Sequence, residues 1–148
     1  MSIEVRLLEP HEAAVLDQVA RGVFDNGIDP LLTAEFFADA RHHLAVAIED
    51  GVVVGMASAV HYVHPDKPPQ LFINEVGVAP SHQGRGFGRQ LVDVLVRLAT
   101  ELQCTEAWVL TDSSNVVAQR MYEGAGGETP PDQCIMYTIR IVPAVVSD

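Results

Sequence analysis

Between residues 79 and 89 the chain reads Ala79-Pro80-Ser81-His82-Gln83-Gly84-Arg85-Gly86-Phe87-Gly88-Arg89. Glycines at alternate positions, Gly84, Gly86 and Gly88, remove Cβ atoms that would hold an anion away from the main chain. Arg85 and Arg89 add charge-assisted donors. If a strand ends before this loop and a helix begins within it, several main-chain N–H groups converge at the positive end of a helix dipole. That is a seat for a phosphate or pyrophosphate. The run is not a Walker loop, since no Gly-Lys-Ser/Thr follows. Its glycine spacing also differs from the dinucleotide fingerprint. Read structurally, the same residues are a helix start that needs close packing.

Other reactive residue types form weaker patterns. Cys104 and Cys134 are the two cysteines, with no Cys-x-x-Cys pair and no nearby histidine pattern, so neither reads as a nucleophile or zinc ligand. His61-x-x-His64 lies at a strand end, where alternation turns the two rings apart, and no metal site is predicted. His42-His43 marks a helix-to-strand corner, and Trp108 reads as a core residue. No Gly-x-Ser-x-Gly elbow is present, which excludes that route to serine hydrolysis.

The elements that would position the loop follow from hydrophobic period. Residues 3–7 alternate as a strand. Pro10 opens a helix with a stripe at Ala13, Leu16, Ala20, Val23 and Phe24, broken by Asn26-Gly27-Ile28-Asp29-Pro30. Thr33 caps a second helix through Ala40, anchored by Phe36 and Phe37. Strands are predicted over 44–48, 52–63 and 70–78, with a hairpin turn at Glu49-Asp50-Gly51 and a stiff proline-rich loop at 64–69. The period then becomes helical over 86–102, with Leu91, Val92, Leu95, Leu98, Ala99 and Leu102 on one stripe. A strand over 106–110, a helix over 116–123 capped from Asp112-Ser113-Ser114-Asn115, and a last strand over 133–142 complete the order. A short extra strand has room near Glu128, and the tail after Pro143 is expected to fray. The order β-α-α-β-β-β-α-β-α-β implies an α+β fold, a mixed sheet with helices on its faces, in one domain over 1–148.

Composition narrows the partners. Twenty acidic residues stand against nine basic ones, a formal net charge of −11, and Lys67 is the only lysine. Such a surface disfavours nucleic acid, whose binding depends on neutralising phosphates. It attracts small cations such as polyamines or aminoglycosides, although acidity also serves solubility alone. No apolar run approaches the ~18 residues of a membrane span, and the start Met1-Ser2-Ile3-Glu4 has no secretory pattern. A cytoplasmic protein without a membrane partner is expected.

Gln83-Gly84-Arg85-Gly86-Phe87-Gly88, preceded by Val76-Gly77-Val78-Ala79-Pro80, resembles the Gln/Arg-x-x-Gly-x-Gly/Ala signature of the GNAT acyltransferase superfamily. Asn115-x-x-Ala118-x-x-x-Tyr122, followed by Gly126, resembles a second motif of that superfamily. The likeness runs from Ile3 to about Ile141. Gly84 stands where a basic residue is more usual, which removes one phosphate contact. Residues 74–78 and 135–139 are similar to the aminoglycoside 3-N-acetyltransferase branch, with Glu75 at an acidic position of that branch.

The resemblance implies a central mixed, mostly antiparallel sheet of about six or seven strands flanked by about four helices. It implies acetyl-CoA as cosubstrate. Val76, Gly77 and Val78 would bond its pantetheine arm through main-chain groups, at a splay beside their strand. The segment Gln83, Gly84, Arg85, Gly86, Phe87, Gly88 and Arg89 would hold its pyrophosphate, and Asn115 its lower arm. Tyr122 would protonate the leaving thiolate, and Glu75 would deprotonate the amine directly or through a water. An N–H near Val76 or Gly77 would stabilise the oxyanion. The acceptor amine, small and cationic, would lie between residues 24–33 and 123–133, near Asp25, Asp29, Asp112, Glu128 and Asp132. Acetylation of a protein N-terminus or lysine, or acetyl-CoA binding without catalysis, are the alternatives. A homodimer is implied by resemblance alone.

Overall fold

The computed structural model describes residues 2–143. Its framework is one five-stranded sheet in chain order, β1 (Glu4–Leu7), β2 (His42–Glu49), β3 (Val52–His64), β4 (Lys67–Val78) and β5 (Ala107–Val109). β1 to β4 are antiparallel, and β5 joins β4 in parallel. Asp50 (φ 51°) and Gly51 (φ 78°) close the β2–β3 hairpin. Two consecutive positive φ angles match the right-handed twist of the flanking strands.

Alternation assigns the two faces. Gly55 faces α2 (Phe87–Glu101), where a Cβ would stand 3.2 Å from Leu91 Cδ1. Leu91, Val92, Leu95, Leu98 and Ala99 of α2 are buried, the stripe that a 3.6-residue period places on one side. The opposite face, which carries Met56 and Gly77, is covered by the chain around Val23, a 3₁₀ helix (Pro10–Asp17) and α1 (Pro30–Ala38). α3 (Val116–Gly124) packs on the N-terminal half of α2, with Met121 against Gly88.

The sheet has five strands where six or seven are expected, because residues 133–143 form neither helix nor strand. Their alternation carries strand propensity, but propensity names no partner, and β5 is the last strand of the sheet. The helix expected from Pro10 is a 3₁₀ segment that stops at Asp17. Main-chain bonds then tie the chain to β3, from Ala20 N to Val53 O (2.9 Å) and from Val53 N to Gln18 O (2.8 Å). Asp29, not Thr33, caps the second helix, its carboxylate accepting from the N–H groups of Leu31 and Leu32. Pro68 and Pro69 lie in β4 rather than in a loop, since the turn narrows to Pro65-Asp66 between the paired His64 and Lys67. His42 and His43 open β2, and His43 Nε2 meets His61 Nδ1 at 2.7 Å. The tail after Pro143 lies outside the described residues. Among the described residues no helix is long and apolar enough to cross a membrane.

Candidate active site

The site begins with one surplus residue. β3 and β4 pair Ser58 with Glu75 and Ala59 with Ile73, which leaves Asn74 bulged out of the ladder. A bulge bends its strand and raises its twist. At the same place β4 parts from β5, which pairs only with Leu71, Phe72 and Ile73. Beyond the bulge the outer edge of β4 borders a hollow of about 700 Å³, walled on the far side by Val109, Leu110 and Thr111.

Register fixes which main-chain groups face that hollow. Ala79 N donates to Val54 O (2.8 Å), so the neighbouring pair Val78–Gly55 is of the non-hydrogen-bonded kind, and alternate residues follow suit. Val76 and Val78 therefore present N–H and C=O to the open side, while Glu75 and Gly77 direct theirs into β3. Gln83 Nε2 donates to Val78 O at 3.0 Å, tying the start of the glycine loop to the end of the strand. Gly77 is required for another reason. A Cβ there would stand 2.1 Å from the carbonyl oxygen of Val23, which crosses directly over it.

The glycine loop leads into α2 without a side-chain cap. Gly84 (φ 74°) and Gly86 (φ 85°) are left-handed, and a Cβ on either would meet nothing within 4 Å, so glycine here answers to φ and leaves open space above the loop. Gly86 is the N-cap and makes no side-chain bond, so the first-turn N–H groups of Phe87, Gly88 and Arg89 have no intrahelical acceptor. The Arg85 guanidinium lies 5.2 Å from the centre of the Phe87 ring. Arg89 Nε bonds Asp93 at 3.0 Å and its guanidinium packs over Gly124. Gln83, Gly84, Gly86, Phe87, Gly88 and Arg89 all border the hollow, and Arg85 does not.

α3 supplies the other wall. Asn115 caps it, Oδ1 accepting from Ala118 N at 3.0 Å, and the residue borders the hollow with its amide Nδ2 as a remaining donor. Tyr122 is half-buried at the rim, and burial raises its phenol pKa above the ordinary value, so the hydroxyl is held protonated at neutral pH. Glu75 is exposed and borders the same hollow. Glu75 is distant in sequence from Asn115 and Tyr122, which share α3, and the fold brings all three to one hollow.

A profile of the acetyltransferase (GNAT) family matches residues 13–126. The chain belongs to that family. Of its relatives, the aminoglycoside N(6′)-acetyltransferase type 1 of Salmonella typhimurium is 34% identical over 92 residues, 58% of this chain and 63% of that protein. An L-2,4-diaminobutyric acid acetyltransferase of Virgibacillus pantothenticus is 32% identical over 96 residues, 64% of this chain and 56% of that protein. The matched part is thus under two thirds of either relative's length. Among solved structures, the aminoglycoside N-acetyltransferase AAC(6′)-Iy in complex with CoA superposes with a TM-score of 0.70 at 25% identity, covering 95% of this chain and 96% of that one. The resemblance to aminoglycoside acetyltransferases is found, and the two aminoglycoside enzymes named here carry the N(6′) designation rather than 3-N.

The hollow is also lined by residues that local pattern does not reveal. Val23 and Met56 line the hollow from the face opposite α2. His82 borders it, with Nε2 bonded to Glu49 (2.7 Å) and Nδ1 to Ser81 Oγ (2.7 Å), which fixes the ring beneath the glycine loop. A second hollow of about 820 Å³, between the 3₁₀ helix and α1, meets the first at Gly22 and Asp25. Of the acidic residues expected around an acceptor, Asp25 lines both hollows, Asp29 is engaged as the cap of α1, and Asp112, Glu128 and Asp132 line neither. Pairings this remote in sequence leave no local signal; of the five acidic residues that the sequence singles out, only Asp25 borders the hollows.

Proposed function

We propose that this chain transfers an acetyl group from acetyl-CoA to a primary amine of a small cationic molecule, of the aminoglycoside, diaminoacid or polyamine kind. The observation that carries this reading is the open edge of β4 beyond Asn74, set against the uncapped start of α2. Val76 and Val78 offer main-chain donors and acceptors to an extended amide-bearing arm, as an added strand would use them. The N–H groups of Phe87, Gly88 and Arg89, with Arg89 beside them, suit a pyrophosphate. Asn115 Nδ2 is a further donor on the opposite wall.

In the reaction the amine nitrogen attacks the thioester carbonyl, the new C–N bond forms, and the C–S bond breaks. Glu75 takes the proton that the ammonium must lose, directly or through water. Val76 N–H faces the place where negative charge develops on the oxygen, a role that Gly77 N–H, engaged with β3, does not fill. Tyr122 donates its retained proton to the departing thiolate. No covalent enzyme intermediate is needed. Asp25 and Glu75 give the acceptor side two carboxylates, in keeping with a cation and with the net charge of −11. We further infer a single domain acting in the cytoplasm as a homodimer; the free thiols Cys104 and Cys134 suit a reducing compartment.

The test is thiol release from acetyl-CoA with a panel of aminoglycosides, 2,4-diaminobutyrate, spermidine and peptide N-termini. Saturable release with one of the small amines supports the proposal. Release with peptides alone, or none from protein that binds acetyl-CoA, removes it.

A further inference from the structure

The glycine loop is lightly held. Gly84 and Gly86 have nothing within 4 Å of where a Cβ would stand, and both take left-handed φ. Such glycines give the segment conformational freedom that binding an anion must remove. Among the described residues, two side-chain hydrogen bonds tie residues 80–86 to the strands. Gln83 Nε2 donates to Val78 O at 3.0 Å, and His82 Nε2 donates to Glu49 Oε2 at 2.7 Å. The first reaches back five residues along the chain. The second crosses 33 residues, to the end of β2 beside the β2–β3 hairpin.

The second tie is the stronger. A carboxylate only accepts, so the proton sits on His82 Nε2 and the bond is charge-assisted. The His82 and Glu49 side chains are 14% and 27% exposed, so water competes for the bond weakly. Ser81 Oγ meets Nδ1 at 2.7 Å, which holds the ring from its other side. From the imidazole, contacts run into the anion seat. The His82 ring lies 6.2 Å from the Phe87 ring, centre to centre, and the Arg85 guanidinium lies 5.2 Å from the centre of the latter. Phe87 is the first residue of α2, and its main-chain N–H is one of the donors without an intrahelical acceptor. His82 borders the hollow, and Glu49 does not.

We propose that Glu49 is a positioning residue for the pyrophosphate of acetyl-CoA. Through His82 it pins the glycine loop, so that the N–H groups of Phe87, Gly88 and Arg89 converge before the ligand arrives. This rests on the reading of the hollow as an acetyl-CoA seat, and it adds a residue that lies outside both sequence motifs. Releasing the clamp leaves every donor in the chain but lets the loop sample conformations in which the donors diverge. The loss then falls on affinity at the pyrophosphate end and spares the bond-making step near Glu75 and Tyr122.

The experiment reads CoA binding to the full chain by calorimetry, with no acceptor needed. Glu49→Ala and His82→Phe, the latter keeping the bulk of the ring, are each expected to raise the Kd for CoA about tenfold, and the double variant to raise it no further. Glu49→Gln keeps an acceptor for His82 Nε2 and is expected to stay within about threefold of the parent. In turnover, the KM for acetyl-CoA should rise while kcat at saturation holds. Single variants that bind CoA as the parent does, losses that add in the double variant, or a Glu49→Gln protein as weak as Glu49→Ala would each overturn the proposal. A parent that binds CoA but acetylates no amine removes the proposed function, and the same Kd values still decide the clamp. A parent that binds no CoA removes both.

Discussion

Gly77→Ala tests the geometry most directly. The added Cβ would stand 2.1 Å from Val23 O and 3.2 Å from Val23 C, with Met56 Cε at 3.6 Å. Close carbon–oxygen contacts in proteins begin at roughly 3.3 Å, so the chain must yield by about 1 Å. Met56 is flexible but Val23 O is main chain, so the strain cannot be relieved by a rotamer. Overpacking of this kind costs about 1–3 kcal/mol, and a main-chain collision sits at the upper end. Either β4 or the segment carrying Val23 must move, and both border the hollow. A displacement of ~1 Å at a reacting centre costs about a hundredfold in rate. Denaturant unfolding is therefore expected to show a loss of about 3 kcal/mol, and steady-state kinetics a kcat/KM about two orders lower. Gly27→Ala is the control, since a Cβ there meets nothing within 4 Å. A Gly77→Ala protein within about 0.5 kcal/mol and twofold of the parent would show that the crossing of Val23 over β4 is not a constraint.

Three further outcomes follow. Tyr122→Phe is expected to lower kcat about a hundredfold with acetyl-CoA affinity retained, as measured by stopped turnover and calorimetry; unchanged turnover removes Tyr122 from the mechanism. Asn115→Asp keeps the oxygen that caps α3 and loses the Nδ2 donor, so thermal stability should hold while the KM for acetyl-CoA rises. Asn115→Ala should also lose about 1 kcal/mol of stability. His43 is pushed down to about 4, first by burial and then by the neighbouring His61 and His42. Its folded pKa lies below the unfolded value near 6.5, so its contribution is complete above that pH and is lost as pH falls toward about 4. Because the ring is only part-buried, the screened effect is about 1–2 kcal/mol. Urea titrations at pH 7 and pH 4.5 should show that loss in the parent and a smaller one in His43→Gln.

What could be read in advance was local. The α2 stripe, the Asp50-Gly51 turn and the Asn115 cap each follow from a few adjacent residues, and each stands where the pattern places it. The glycine loop was legible for the same reason. Residues set by pairing were not. Nothing around Asn74 announces a bulge, which exists only relative to the register of β3. Gly77 looked like one more main-chain partner in a strand, whereas its peptide is engaged with β3 and its missing side chain admits Val23. Pro68 and Pro69 suggested a loop because proline cannot serve in a central ladder, yet β4 tolerates them near its start. Residues 133–142 show the converse, a strand pattern that forms no strand in the sheet.

The bulge at Asn74 also bears on how such a site arises and disappears. Glu75 to Val78 already keep regular pairs with β3, and so do residues 70–73 before Asn74. Deleting Asn74 would leave those pairs intact and remove the bend that parts β4 from β5. The hollow would close into plain sheet with every other residue unchanged. The capacity to hold a ligand is thus invested in the loss or gain of a single codon, an event that substitution scans do not sample.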